Sequence, residues 1–139
     1  MRKSWKVEIG EIMNSHQVRE RILVLDDEQV ILELLERVLS REGYQVTATY
    51  SSEKVVSLMS TERFDLAIVG VGLQSVNDYE LMKMIREASP ETAIVVLTGY
   101  PTEEVIRFAH EHAQGYLEKP FGLQEFLGVV RSTLEDERH

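Results

Sequence analysis

The sequence contains no cysteine, which excludes disulfides, thiolate metal sites and cysteine nucleophiles. No apolar run approaches the ~18 residues of a membrane span, and the N-terminus lacks the apolar stretch of a signal peptide. Repeats and low-complexity segments are absent as well. A chain of 139 residues is long enough to bury one core. We therefore expect a single cytoplasmic domain that does not insert into a membrane.

Basic side chains are scarce, with 15 Lys and Arg residues against 24 Asp and Glu residues and a net charge of −9. Residues 1–20 carry four basic and three acidic groups, so the excess of acid lies entirely in the remainder. The remainder has no cluster of Lys and Arg that would form a basic face. Because such a surface repels phosphate groups, we expect no direct binding to nucleic acid.

Five short apolar segments are typical of strands buried on both faces of a sheet. Amphipathic patterns with helical spacing separate them, and each crossover helix returns the chain to the same edge, so the sheet should be parallel with helices on both faces. The predicted strands are 21–26, 45–49, 64–71, 93–98 and 115–118. The predicted helices begin near 30, 52, 78, 102 and 123.

Two helices have the clearest apolar stripes, and both stripes should face the core. The first helix carries its apolar residues at Val30, Ile31, Leu34, Leu35, Val38 and Leu39, and Gly43 should end it. The last helix carries Leu123, Phe126, Leu127, Val130 and Leu134.

Residues 1–20 show only a weak helical period, with one short helix predicted around 5–12. We interpret them as an N-terminal extension and residues 21–139 as the folded domain. Met13 is an alternative start site, and the sequence does not decide between the two.

Chemistry in an open parallel sheet lies beyond the carboxyl ends of the strands. Carboxylates there can bind Mg²⁺, while a hydroxyl and an ammonium group can bind a phosphoryl group. We interpret Glu28 as a carboxylate whose negative charge interacts favourably with the positive N-terminal end of the helix that follows it. The residues at these ends are Asp26, Asp27, Glu28, Gly70, Thr98, Lys119 and Pro120.

At these residues the chain resembles the receiver domains of two-component response regulators, from residue 21 to about 135. "ILVLDDE", "VVLTGY" and "GYLEKPF" are similar to three segments of that family in order and separation. The resemblance implies a doubly wound, flavodoxin-like α/β fold with strand order 2-1-3-4-5. It also implies metal-binding acids at Asp26 and Asp27, switch residues at Thr98 and Tyr116, the family's lysine at Lys119, and a cis peptide bond before Pro120.

One position departs from the family in a way that affects its chemistry. The third strand should end in the aspartate that accepts the phosphoryl group, and this chain has Gly70 there. The loop that follows has Gln74 and Asp78 where the family has proline and glycine. Asp65 lies ~17 Å up the same strand and cannot substitute. We therefore expect phosphotransfer to be lost and Lys119 to pair with Asp26 or Asp27.

The favoured hypothesis is a receiver-like module, not an enzyme, that acts by protein–protein contact without phosphorylation. It would need no cofactor and would bind Mg²⁺ weakly or not at all. Its expected partner is a sensor histidine kinase, another receiver or an output protein. The resemblance suggests contact through the fourth helix, fifth strand and fifth helix, a face that could also support a homodimer. Two alternatives stay open: a receiver with a non-standard phosphoacceptor, and a small enzyme that binds a phosphate-containing ligand.

Overall fold

Strands and helices alternate along the described part of the chain, residues 19–71 and 78–138 of a computed structural model. The predicted helix at 5–12 and the loop position Gln74 lie outside these residues. The strands are β1 (Arg21–Leu25), β2 (Gln45–Thr49), β3 (Leu66–Val71), β4 (Ala93–Thr98) and β5 (Gly115–Glu118). The helices are α1 (Gln29–Arg41), α2 (Ser52–Thr61), α3 (Asp78–Ala88), α4 (Glu103–His112) and α5 (Leu123–Arg138).

The five strands form one parallel sheet in the order β2-β1-β3-β4-β5, so the predicted fold is confirmed. Chain order and sheet order differ at β1, which lies between β2 and β3. The strand order therefore reverses next to β1, and parallel sheets of this kind bind ligands at such a switch point. Residues that follow β1 and β3 consequently meet at one edge.

Two apolar layers cover the two faces of the sheet. On one face, α1 and α5 bury side chains such as Leu35, Leu39 and Phe126 against Val24 and Val95. On the other face, α2 and α3 bury Val55, Met82 and Ile85, and α4 adds Ala109. Because each central strand is covered on both sides, β4 is buried along its whole length.

Helix ends occur where the local sequence favours them. The Ser51 and Thr102 side chains accept hydrogen bonds from Lys54 N–H and Val105 N–H, which caps α2 and α4. Gly43 follows α1 with a φ of 98°, a left-handed conformation that strains residues with a Cβ. These local signals explain why the predicted and observed bounds differ little.

Two predicted apolar stripes were partly wrong. In α1 the buried residues are Leu32, Leu35 and Leu39, whereas Val30 is 78% exposed and Leu34 is 39% exposed. At the start of α5, Leu123 is 42% exposed, although the rest of its stripe is buried. Val30 and Leu123 lie in the first turn of their helices and Leu34 lies in the middle of α1, so helical spacing alone does not ensure burial.

Within the described residues, no helix combines the length and apolar character needed to cross a bilayer.

Phe126→Ala should lower the free energy of unfolding by about 3–5 kcal/mol, because Phe126 is fully buried in the layer between α5 and the sheet. Chemical denaturation measures this directly. Val30→Ala, on the exposed side of α1, should change the free energy by about 0.5 kcal/mol or less. Equal losses in the two variants would contradict the assigned core.

Candidate functional site

Asp26 is the first residue after β1, and its side chain is buried at the carboxyl edge of the sheet. The residue is 1% exposed. Its Oδ1 accepts a hydrogen bond from Glu28 N–H at 2.9 Å, which directs the carboxylate toward the neighbouring strands. Its Oδ2 receives no backbone N–H from the described residues and is contacted instead by a charged side chain. A buried carboxylate requires a compensating charge nearby.

Lys119 supplies that charge from the segment that follows β5. Its Nζ lies 2.9 Å from Asp26 Oδ2 and 2.7 Å from Glu28 Oε1. The Lys119 side chain is only 16% exposed, so this pair is less screened by solvent than a surface ion pair. Of the two predicted partners of Lys119, Asp26 and Asp27, the structure shows Asp26, and the second partner is Glu28.

The Lys119 ammonium is held in its charged form by this arrangement. Burial lowers the pKa of Lys119, but the hydrogen bonds to Glu28 and Asp26 and the charges of both carboxylates raise it by more. The net result is a pKa above the ordinary value of 10.5. Lys119 therefore carries a full positive charge at neutral pH.

Gly70, in β3, lies directly beside the Asp26 carboxylate. A Cβ built on Gly70 would lie 2.5 Å from Asp26 Oδ2 and 2.9 Å from its Cγ, with the Leu25 carbonyl oxygen at 3.3 Å. Both Asp26 distances are shorter than atoms of neighbouring residues tolerate, so a side chain at position 70 requires Asp26 to move. The Asp26 carboxylate thus occupies the space in which a residue-70 side chain would begin.

The acidic residues at this edge could be expected to hold a divalent cation, since Asp26, Asp27 and Glu28 each have an oxygen within 4.8 Å of the others. In the observed arrangement, however, Lys119 already contacts Asp26 and Glu28. A cation would have to compete with an ammonium for two of the three carboxylates. The residues as arranged therefore do not fit Mg²⁺ well.

Thr98 and Tyr116, the switch residues implied by the resemblance, direct their hydroxyl groups to different partners. Thr98 is fully buried, and its Oγ1 accepts a hydrogen bond from Tyr100 N–H at 3.0 Å. Tyr116 donates its hydroxyl to Glu118 Oε2 at 2.9 Å. Burial and this hydrogen bond raise the pKa of Tyr116 to about 12. In this structure the two hydroxyls do not share a partner.

The structure also shows where Pro120, Asp27 and Asp65 lie. The peptide bond between Lys119 and Pro120 is cis, as the resemblance implies. Asp27 is exposed and forms no ion pair with Lys119. Asp65 accepts a hydrogen bond from Arg21 N–H at the start of β1, which places it at the opposite edge of the sheet from the site.

Sequence reasoning missed the contacts of Glu28 and Glu118. Glu28 bonds a residue 91 positions away in the chain, and no local pattern encodes that pairing. Glu118 gave a usable signal, because residues two apart on a strand lie on the same side of it. The hydrogen bond from Tyr116 was therefore accessible to prediction.

Comparisons with known proteins identify the family of this chain. The family model described as "Response regulator receiver domain" matches residues 22–131. The response regulator MprA of Mycolicibacterium vanbaalenii is 31% identical over 115 residues, which cover 82% of this chain and 50% of that protein. The DNA-binding transcriptional regulator NtrC of Rhizobium meliloti is 30% identical over 84% of this chain and 24% of its own length. The chain thus spans half or less of these curated relatives.

Solved structures give the same result. A CheY-like response regulator receiver domain protein from Methanospirillum hungatei superposes with a TM-score of 0.81 at 26% identity, covering 86% of this chain and 97% of that one. The signal receiver domain of an HD domain-containing protein from Pseudomonas fluorescens gives 0.79 at 30% identity, with coverage of 86% and 98%. This chain therefore belongs to the response regulator receiver domain family of two-component signalling.

Proposed function

We propose that this receiver domain signals by protein–protein contact, without accepting a phosphoryl group in its own cleft. One observation carries the proposal: position 70 has no side chain, and the Asp26 carboxylate, paired with Lys119, occupies the adjoining space. Aspartyl phosphotransfer requires an accessible carboxylate at the carboxyl end of the sheet. Gly70 supplies none, and Asp26 is buried.

The ion pair also replaces the effect that a phosphoryl group would have on Lys119. A phosphorylated cleft would offer Lys119 an anionic oxygen as its partner. Here Asp26 and Glu28 already supply that negative charge. The cleft therefore stays in one arrangement, and any change of state must come from a partner that binds the outside of the domain.

The partner we propose is a sensor histidine kinase, another receiver or an output protein. The contact surface consists of β5, the edge strand, together with α4 and α5, which pack against β5 from opposite faces of the sheet. The same surface could support a homodimer. We propose no direct contact with nucleic acid or with a membrane, and no catalytic activity. Mg²⁺ binding is weak or absent, and no cofactor is required.

A second candidate function follows from the position of Asp26. Its Oδ2 lies where a residue-70 side chain would begin and within 2.9 Å of Lys119 Nζ, so Asp26 is the carboxylate best placed to act as a substitute phosphoacceptor. Its oxygen would attack the phosphorus of a small phosphodonor, and the bond to the leaving group would break. Its burial and its ion pair both oppose that attack.

Incubation with acetyl phosphate and Mg²⁺ should leave the intact mass of the protein unchanged, because position 70 carries no carboxylate and Asp26 is buried in its ion pair with Lys119. Intact-mass spectrometry at neutral pH makes the measurement, with a phosphorylatable receiver as the positive control. A stoichiometric, base-labile phosphoryl adduct would contradict the proposal. If that adduct disappeared in Asp26→Asn, the second candidate function would take its place.

Lys119→Met should lower the free energy of unfolding by about 3 kcal/mol at pH 7, since it leaves the Asp26 carboxylate buried without its counter-charge. This is the lower end of the usual range because Lys119 keeps 16% of its side chain exposed. The pKa of Lys119 is raised in the folded state, so its contribution is fully present below pH ~10.5 and is lost as the pH rises further.

The difference in stability between wild type and Lys119→Met should accordingly stay constant from neutral pH to about 10 and narrow above that. Denaturant titrations over this range measure it. Glu28→Gln, which removes only the exposed partner, should cost about 1 kcal/mol or less. A Lys119→Met protein as stable as wild type at pH 7 would disprove a structural role for the pair.

Gly70→Asp tests whether the loss of phosphorylation comes from position 70 alone. The new side chain should displace the Asp26 carboxylate, lower the stability by about 1–3 kcal/mol and restore the reaction with acetyl phosphate. Gly70→Ala is the matched control, because its Cβ meets the same oxygen but brings no carboxylate. It should lose similar stability and stay unreactive. An unreactive Gly70→Asp would place the cause of the loss elsewhere in the cleft.

A further inference from the structure

Tyr116 and Glu118 of β5 form a hydrogen-bonded pair on the face of the sheet that α4 covers. β5 is the edge strand of the sheet, so one of its long edges is not paired with another described strand. Tyr116 and Glu118 lie two residues apart and therefore point to the same side of the strand. The Tyr116 ring is half-buried against the layer that includes α4, while Glu118 is exposed. The hydroxyl of Tyr116 reaches Glu118 Oε2 at 2.9 Å.

A hydrogen bond to an ionised carboxylate is roughly twice as strong as one between neutral groups. The Tyr116 ring alone would be held at one end only, by its packing against the α4 layer. The bond to Glu118 fixes the other end. The raised pKa of Tyr116, about 12, agrees with this arrangement, because burial and the bond to Glu118 both disfavour the phenolate.

The next residue connects this pair to the cleft. Lys119 N–H donates to the Thr98 carbonyl at 2.8 Å, which extends the pairing of β5 with β4 by one residue. The Lys119 side chain then enters the cleft and contacts Asp26. Two consecutive residues thus carry the surface hydrogen bond and the buried ion pair, so the cleft and the surface share one stretch of backbone.

We infer that Glu118 is a positioning residue that fixes the orientation of Tyr116 on the α4–β5–α5 contact surface. A tyrosine held in one rotamer offers a rigid contact area and loses little entropy when a partner binds. The partner's use of this surface rests on the proposed function above. The orientation of Tyr116 does not, because it follows from contacts within the domain.

Three variants test the inference. Glu118→Ala removes the acceptor, and Glu118→Gln keeps an acceptor but removes the charge. Glu125→Ala is the control, because the exposed Glu125 lines a surface pocket between β5 and α5 together with Tyr116 but does not bond the Tyr116 hydroxyl. Both positions are exposed, so the three variants should fold. The readouts are NMR couplings that report χ1 of Tyr116, and the pKa of Tyr116 from a titration with labelled tyrosine.

In wild type and Glu125→Ala, Tyr116 should occupy one χ1 rotamer and titrate near 12. In Glu118→Ala the couplings should become averaged, and the pKa of Tyr116 should fall only in part, because burial, the largest cause of its rise, remains. In Glu118→Gln the single rotamer should persist while the pKa falls in part. Unchanged couplings in Glu118→Ala would overturn the inference. That result would leave the proposed function intact, because the latter is tested by phosphodonor reactivity and not by the orientation of Tyr116.

Discussion

The ion pair between Asp26 and Lys119 joins the carboxyl ends of β1 and β5 across the middle of the sheet. Its burial makes each partner depend on the other, since an unpaired charge in this position would be costly. Gly70 makes the geometry possible, because a side chain at that position of β3 would displace the Asp26 carboxylate. Three strands thus contribute to one contact, and the shape of the cleft depends on it.

The pair between Asp26 and Lys119 alters the cleft in which other receiver domains are phosphorylated. In a phosphorylatable receiver the acids, the hydroxyl and the lysine surround a carboxylate that gains and loses a phosphoryl group. Here the same residue types are present, but their charges are satisfied by one another. Under the proposed function, the domain keeps the receiver fold and its outer surfaces but does not accept a phosphoryl group.

The fold was predictable because its signals are local and repeated. Buried apolar runs marked the strands, Gly43 marked the end of α1, and Ser51 and Thr102 capped their helices. The pairing of Lys119 with Asp26 followed from the position of both residues at strand ends. The contact of Glu28 with Lys119 did not, because it depends on how far a flexible, exposed side chain reaches across a loop. Likewise, the close approach of Asp26 to Gly70 depends on distances of a few ångströms that spacing does not encode.

A crystal structure of the chain grown in the presence of Mg²⁺ would test the central claim most directly. The account predicts that Lys119 Nζ stays within about 3 Å of Asp26 Oδ2, that this carboxylate lies against Gly70, and that no metal ion displaces the lysine. A structure with Mg²⁺ bound by Asp26 and Asp27, and with Lys119 turned toward solvent, would contradict it.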